Sequence, residues 1–86
     1  MTVIMNSVTL REIWQDILGV EVGETTDFFD ASGDSLSAMR IYARVTDAFG
    51  VVLPLSTIFD SPRFDEFALA VEAHAQSQRG DGEQRR

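Results

Sequence analysis

The stretch Ser35–Phe49, SLSAMRIYARVTDAF, decides the fold because apolar residues recur at helical spacing on two sides of one helix. At about 100° per residue, one stripe covers roughly a third of the circumference and is the predicted core face. It comprises Ala38, Ile41, Tyr42, Val45 and Phe49. A second stripe, about 145° away, comprises Leu36, Met39 and Ala43. Since a helix in a small bundle turns one side inward, the second stripe should be at least partly exposed.

This second stripe predicts a partner-docking surface made of Leu36, Met39, Arg40 and Ala43. Methionine is adaptable and suits a surface that meets several partners in turn. The alternative is that Leu36 or Met39 packs beneath the preceding loop.

Two further long helices flank this one. The first is predicted from about Val8 to Leu18, with Thr9 and Glu12 as a capping box. Gly19 is placed to end it. The last is predicted to start at Ser61-Pro62 and to bury one apolar stripe, which comprises Phe64, Phe67, Ala68, Val71 and Ala75.

Between them, a short helical turn is predicted at Ser56–Phe59, with Ser56 as its cap. Val51 to Leu53 could form a strand by propensity, but no second strand is available to pair with it. The sequence therefore predicts an all-α fold, a small four-helix bundle of three main helices and one short one. The domain is expected over residues 8–76, with a flexible lead-in at 1–7 and a disordered polar tail at 77–86.

The segment 20–34, VEVGETTDFFDASGD, is a long connection rich in acids. Loops of this length are usually functional or disordered. Phe28 and Phe29 argue against disorder, and at least one of them is expected to insert into the core.

Composition excludes several classes of function. The 86 residues contain 14 acids and 7 bases, all of them Arg, for a net charge of −7, and no cysteine. Nucleic acid is a poor partner for such a chain, whereas a basic patch on another protein is a good one. The acids could equally serve solubility alone. Without a signal peptide or a long apolar run, the chain is expected to be cytoplasmic and away from membranes.

Ser35 stands where the long loop meets a helix N-terminus. The free amides and the helix dipole favour an anionic group there, so a phosphodiester on the serine oxygen would be well placed. The simpler interpretation is a capping serine, and Asp34 could cap the helix equally well.

The stretch Phe28–Leu36, FFDASGDSL, resembles the signature of peptidyl carrier proteins of nonribosomal peptide synthetases. The resemblance extends over about residues 8–75. The segment 10–19, LREIWQDILG, looks like the first helix of that family. The segments 49–55, FGVVLPL, and 58–62, IFDSP, look like its downstream pattern.

The resemblance implies an acyl-carrier-like four-helix bundle in which Ser35 carries a 4′-phosphopantetheine arm, with Gly33 and Asp34 beside it. A phosphopantetheinyl transferase would add the arm from coenzyme A. An adenylation enzyme would then load an aminoacyl or acyl group as a thioester, and condensation or tailoring enzymes would receive it. The chain itself would be a non-catalytic monomer whose cofactor supplies the chemistry. The initiating Met1 and the polar end favour a free-standing carrier.

One residue departs from the family pattern, because Ser32 replaces the first glycine of a Gly-Gly pair. Serine tolerates positive φ less well than glycine, so the loop is expected to turn differently before Ser35. An acyl carrier protein of polyketide or fatty acid synthesis is the nearest alternative, and an unmodified helical interaction module is an alternative of another class.

Two chemical alternatives find little support in the sequence. The block Gly33-Asp34-Ser35-Leu36 also occurs in an esterase family, but the single histidine, His74, is near the end of the last helix and lacks the usual triad context. Asp30, Ser32 and Asp34 alternate like the opening of a calcium-binding loop. Position twelve of that loop would be Ile41, where a glutamate is needed.

Overall fold

Four helices make up the chain in the computed structural model, which describes residues 7–84 and the side chains as far as Gln78. The helices are α1 (Ser7–Leu18), α2 (Ser35–Phe49), α3 (Thr57–Asp60) and α4 (Phe64–Gln84). Helix α1 packs against both α2 and α4, and α3 packs against α4. The predicted all-α bundle is confirmed. Val51 to Leu53 is not a strand, and the described residues contain one isolated antiparallel bridge, between Asp27 and Arg63.

Aromatic rings fill the centre of the bundle around Trp14, which is fully buried. Its ring centroid lies 5.7 Å from that of Phe28, 5.2 Å from that of Phe64 and 5.2 Å from that of Phe67. The contacts with Phe28 and Phe64 are edge-on, and packing of this kind stabilises a core beyond the area that it buries. The predicted inward stripe of α2 is confirmed: Ala38, Ile41, Tyr42 and Val45 are buried, and Phe49 is half-buried.

The ends of α1 differ in how well they were predicted. Gly19 adopts φ 74°, and its N–H donates to the Gln15 carbonyl at 2.8 Å, so the predicted stop is confirmed. Thr9 is the third residue of α1 rather than its cap, because the helix already includes Ser7. The predicted capping box at Thr9 and Glu12 is therefore wrong.

The short helix α3 begins at Thr57, directly after the predicted cap residue Ser56. Ser56 holds the N-cap position, but its side chain makes no capping hydrogen bond. The hydroxyl of Thr57 instead donates to the Pro54 carbonyl at 2.7 Å. This bond ties the first turn to the proline that precedes it.

Helix α4 begins at Phe64, later than the predicted start at Ser61-Pro62. The acidic loop accounts for the difference, because its carbonyls take the first amides of α4. The Phe64 N–H donates to Thr26 and the Asp65 N–H donates to Glu24, at 2.8 and 2.9 Å. These bonds satisfy donors that a helix start otherwise leaves free.

Helix α4 continues as far as Gln84, so residues 77–84 are part of it. Residues 1–6 and 85–86 lie outside the described part of the chain, so the division into lead-in, domain and tail stays a prediction. No helix within residues 7–84 is long and apolar enough to cross a membrane.

Candidate functional site

The loop before α2 is fixed to the body of the protein at Phe28. The Phe28 side chain is fully buried, and its N–H donates to the Pro62 carbonyl at 2.8 Å. Next to it, Asp27 pairs with Arg63 in the isolated bridge. The expectation that one phenylalanine of the pair anchors this loop is confirmed. The chain therefore enters α2 from a point held against the start of α4.

Between this anchor and α2 the loop closes into a tight turn. The Asp27 carboxylate accepts the N–H groups of Phe29 and Asp30 at 2.8 and 3.1 Å. The Gly33 N–H then donates to the Phe28 carbonyl at 2.9 Å. Because its amides are bonded within the turn, this segment holds a defined path up to the helix.

Ser32 is a residue in the left-handed region, with φ 69°. Its N–H donates to the Phe29 carbonyl at 3.0 Å. The hydrogen bonds on either side hold the backbone in this conformation. That the loop turns differently from the family's before Ser35 stays a prediction.

Position 33 requires glycine because a side chain there would not fit against the Phe28 ring. A Cβ atom at this position would lie 2.6 Å from Cε1 of Phe28, which is far inside van der Waals contact. Only glycine lets the backbone cross the buried ring this closely. Its predicted place beside a bound arm stays a prediction, whereas its packing role follows directly from the contact.

Asp34 is the N-cap of α2. One oxygen of its carboxylate accepts the Ser37 N–H and the Ser37 hydroxyl, both at 2.9 Å. These two hydrogen bonds favour the charged form and lower the pKa of Asp34, the bond from the Ser37 amide contributing most. Since Asp34 caps the helix, the simpler interpretation of Ser35 as the capping residue is wrong.

Ser35 is the first residue of α2 and is exposed. Among the described residues, no hydrogen-bond partner is found for the amides of Ser35 and Leu36. Free amides at a helix start accommodate an anion, so a phosphodiester on the Ser35 oxygen fits here.

The geometry does not favour a calcium-binding loop. Ile41, which would have to supply the twelfth ligand, is fully buried in the core. Within residues 7–84 no cluster of acidic or histidine side chains could hold a metal ion. His74 lies on α4, half-buried.

The second stripe of α2 faces solvent, as predicted. The exposed fractions of Leu36 and Met39 are 63% and 51%, so neither packs beneath the loop. Arg40 and Ala43 are exposed on the same helix. Arg44 adjoins them and pairs with Asp16 of α1 at 3.2 Å. The structure thus brings the four predicted docking residues together on one accessible helix, and their docking role stays a prediction.

An exposed aromatic pair was missed by the sequence analysis. Phe29 and Phe59 are 45% and 46% exposed, and their ring centroids are 5.6 Å apart. The signal that could have found the pair is a repeated pattern: Phe28-Phe29 and Ile58-Phe59 each place one residue in the core and the next outside. A helix of four residues is too short for periodicity to reveal this.

A small all-α bundle with an exposed serine at the start of its second helix is the arrangement of carrier proteins. A family profile described as "Phosphopantetheine attachment site" matches residues 8–71. The chain therefore belongs to the phosphopantetheine attachment site family, whose members carry 4′-phosphopantetheine covalently. It is a carrier of the peptidyl type, and its relatives are synthetases of peptide natural products.

Two relatives illustrate the match. Phosphinothricin tripeptide synthetase PhsC of Streptomyces viridochromogenes is 47% identical over 62 residues, which is 71% of this chain and 6% of the synthetase. Surfactin synthase subunit 2 of Bacillus subtilis is 41% identical over 63 residues, 73% of this chain and 2% of that protein. The chain thus corresponds to a small part of each relative.

Solved structures show the same fold. A peptidyl carrier protein in complex with coenzyme A and the phosphopantetheine transferase Sfp superposes with a TM-score of 0.75 at 33% identity, over 84% of this chain and 95% of the other. An active-site mutant of a peptidyl carrier protein superposes with a TM-score of 0.74 at 32% identity, over 86% of each chain.

Proposed function

We propose that Ser35 is the attachment residue and that the chain carries aminoacyl or acyl intermediates in nonribosomal peptide synthesis. The exposed hydroxyl at the first position of α2, inside the family match, is the observation that carries the proposal. In the proposed reaction the Ser35 oxygen bonds to the phosphorus that bears pantetheine in coenzyme A. The nucleotide half of coenzyme A leaves, and the transferase removes the hydroxyl proton.

The chain's own residues prepare this step by position. Asp34 keeps its carboxylate engaged with Ser37, and Gly33 lets the turn close over Phe28. The serine is therefore presented at a fixed helix start, where free amides can accept the negative charge of the phosphodiester. When bound, the arm supplies a thiol that a chain without cysteine lacks.

The exposed stripe of α2 supports a docking role in the same proposal. Leu36, Met39 and Ala43 offer an apolar surface that begins beside Ser35 and extends over about two turns of α2, and Arg40 adds a positive charge at its edge. The net charge of the chain led us to expect a basic patch on a partner. Because this face of α2 carries Arg40, we expect such a patch to contact the acidic loop rather than α2. We assign docking of the transferase, of an adenylation enzyme and of condensation or tailoring enzymes to this surface.

Intact mass measurement tests the attachment. The protein is incubated with coenzyme A, Mg²⁺ and a broad-specificity transferase. One added phosphopantetheine is expected, and none on the Ser35→Ala variant. Ser37→Ala is the matched control, since it removes a hydroxyl from the same helical turn and should still gain the arm. A Ser35→Ala protein that gains the same mass would contradict the proposal.

Loading of the modified chain separates the proposed pathway from its alternatives. A peptide-type carrier should accept an aminoacyl or aryl group from a separate adenylation enzyme, which also tests action as a free-standing, non-catalytic carrier. Transfer of malonyl or fatty acyl groups alone would instead indicate a carrier of polyketide or fatty acid synthesis.

A further inference from the structure

A groove runs between the last turn of α1 and the middle of α2. Its volume is about 380 Å³, at the small end of the range of ligand pockets, about 300–1,000 Å³. Ile17 and Ala43 supply its apolar surface, and Ile17 packs against the core. Because all lining residues except Ile17 are exposed, the groove suits a side chain of a partner better than an enclosed ligand. The groove is lined by Asp16, Ile17, Arg40, Ala43 and Arg44.

Arg40 is the uncompensated cation at this groove. Its side chain is exposed and makes no ion pair or hydrogen bond with the side chains described, which extend to Gln78. Arg44, by contrast, donates to Asp16 at 3.2 Å through Nη2 alone, so its other donors can still meet an acceptor. An unpaired arginine beside an apolar groove, in a chain of net charge −7, offers a site for a negative group on a partner.

We infer that this groove receives an acidic helical segment of a partner protein, which places an aliphatic side chain against Ile17 and Ala43 and a carboxylate on Arg40. The spacing of the two arginines favours a helix. Arg40 and Arg44 lie one turn apart on α2, about 6 Å along its axis. Two carboxylates one turn apart on a partner helix have the same spacing and match both guanidinium groups. Such charge pairs fix the register of a partner more than they raise its affinity.

The acidic contact rests on the proposed docking role of α2 and adds the chemistry of the partner. Arg40 and Ala43 belong both to the groove and to the predicted docking surface, so a partner seated on Leu36 and Met39 also reaches the groove. A partner with a carboxylate here and a basic patch on the acidic loop docks in one orientation, because the reverse orientation would set like charges against each other.

Peptide titration tests the acidic partner directly. The probe is an alanine-rich helix of about 20 residues that carries glutamate at positions i and i+4 and leucine at i+3. The matched peptide has glutamine in place of both glutamates. At low salt, the acidic peptide should shift the backbone amide signals of Ile17, Ala43 and Arg44 in the full isotope-labelled chain. It should bind about fivefold more tightly than the glutamine peptide, and added salt should remove this difference.

Two variants that change the charge of the chain equally locate the contact. Arg40→Gln should weaken binding of the acidic peptide about threefold and leave binding of the glutamine peptide unchanged. Gln76→Glu, at an exposed position of α4, is the matched control and should bind the acidic peptide as the wild type does. Equal binding of the two peptides to the wild type, or equal weakening by the two variants, would overturn the acidic contact.

Attachment and docking are measured separately from this contact. The titration is repeated on Ser35→Ala, which has no attachment residue, and the same shifts are expected. An acidic peptide that does not bind, together with a Met39→Asp variant whose loading is impaired, would overturn the acidic contact and leave the docking role of α2 standing. A Met39→Asp variant that loads as the wild type does would overturn the docking role and the acidic contact with it.

Discussion

The backbone of Gly33 crosses the ring of Phe28 so closely that a Cβ atom on residue 33 would lie 2.6 Å from ring atom Cε1. This contact joins the buried anchor of the acidic loop to the residue two positions before Ser35. It explains how an irregular segment delivers the serine to a defined place.

Gly33→Ala should therefore destabilise the protein, because either the Phe28 ring or the turn has to move. Overpacking of this kind costs about 1–3 kcal/mol in the free energy of unfolding. Urea denaturation measures it. Gly23→Ala is the matched control, since its Cβ would meet Thr26 at an ordinary 3.9 Å. Equal effects of the two substitutions would argue against the contact.

Tyr42 links α2 to the segment around α3 through its hydroxyl. The hydroxyl donates to the Leu55 carbonyl at 2.6 Å and accepts the Ile58 N–H at 3.1 Å. Tyr42→Phe would leave both backbone groups without this partner, at a cost of about 1–3 kcal/mol in the free energy of unfolding. Thermal and urea unfolding of the variant measure the loss.

Tyr42 should also make the stability of the protein depend on pH in the alkaline range. Burial raises the pKa of Tyr42, because it disfavours the charged phenolate. Its contribution to stability is full below the ordinary pKa of tyrosine and is lost as the pH rises through the raised pKa. The wild type should therefore lose stability over this alkaline interval, and Tyr42→Phe should lose less. Identical alkaline slopes would contradict this assignment.

Asp34 should make the stability of the protein depend on pH in the opposite direction, in the acid range. Its pKa is lowered by the hydrogen bonds from Ser37, so its capping contribution is present above the ordinary pKa of aspartate and is lost as the pH falls through the lowered pKa. Asp34→Ala should lower the unfolding midpoint at neutral pH. Asp34→Asn, which can still cap the helix, should keep most of the wild-type unfolding midpoint and should lose this acid dependence. Unfolding midpoints across the acid range distinguish the two variants.

Met39 is the clearest test of the docking surface. Met39→Asp should leave the fold intact, because the side chain is exposed, and should lower kcat/KM for arm transfer or for loading by about tenfold or more. Circular dichroism checks the fold. Val20→Asp, an exposed apolar position on the loop, is the control. Equal loss in both variants would count against a specific docking role for α2.

Most of the fold could be predicted because each long helix has apolar residues at helical spacing, and this spacing can be read from the sequence. The bounds of α2 were predicted to the residue, since Asp34 and Gly50 mark both ends by local chemistry. The start of α4 was not predicted to the residue, because it depends on hydrogen bonds to the carbonyls of Thr26 and Glu24. These carbonyls reach the first amides of α4 only in the folded chain. The left-handed conformation of Ser32 escaped prediction for the same reason.

The candidate site also has features that could be predicted from the sequence and features that could not. The exposure of Leu36 and Met39 followed from the angle between two stripes on one helix. The roles of Gly33 and Asp34 needed coordinates, because the ring of Phe28 and the hydroxyl of Ser37 define them. The exposed pair of Phe29 and Phe59 comes from two distant parts of the sequence and has no periodic signal.

The most direct measurement of the central claim is to locate the arm by peptide mass spectrometry. Since the chain has no lysine, trypsin should release residues 12–40 as one peptide, which contains Ser32, Ser35 and Ser37. After treatment with coenzyme A and a transferase, fragmentation should place the phosphopantetheine on Ser35 alone. An arm on Ser32 or Ser37, or a peptide 12–40 that stays unmodified, would contradict the account.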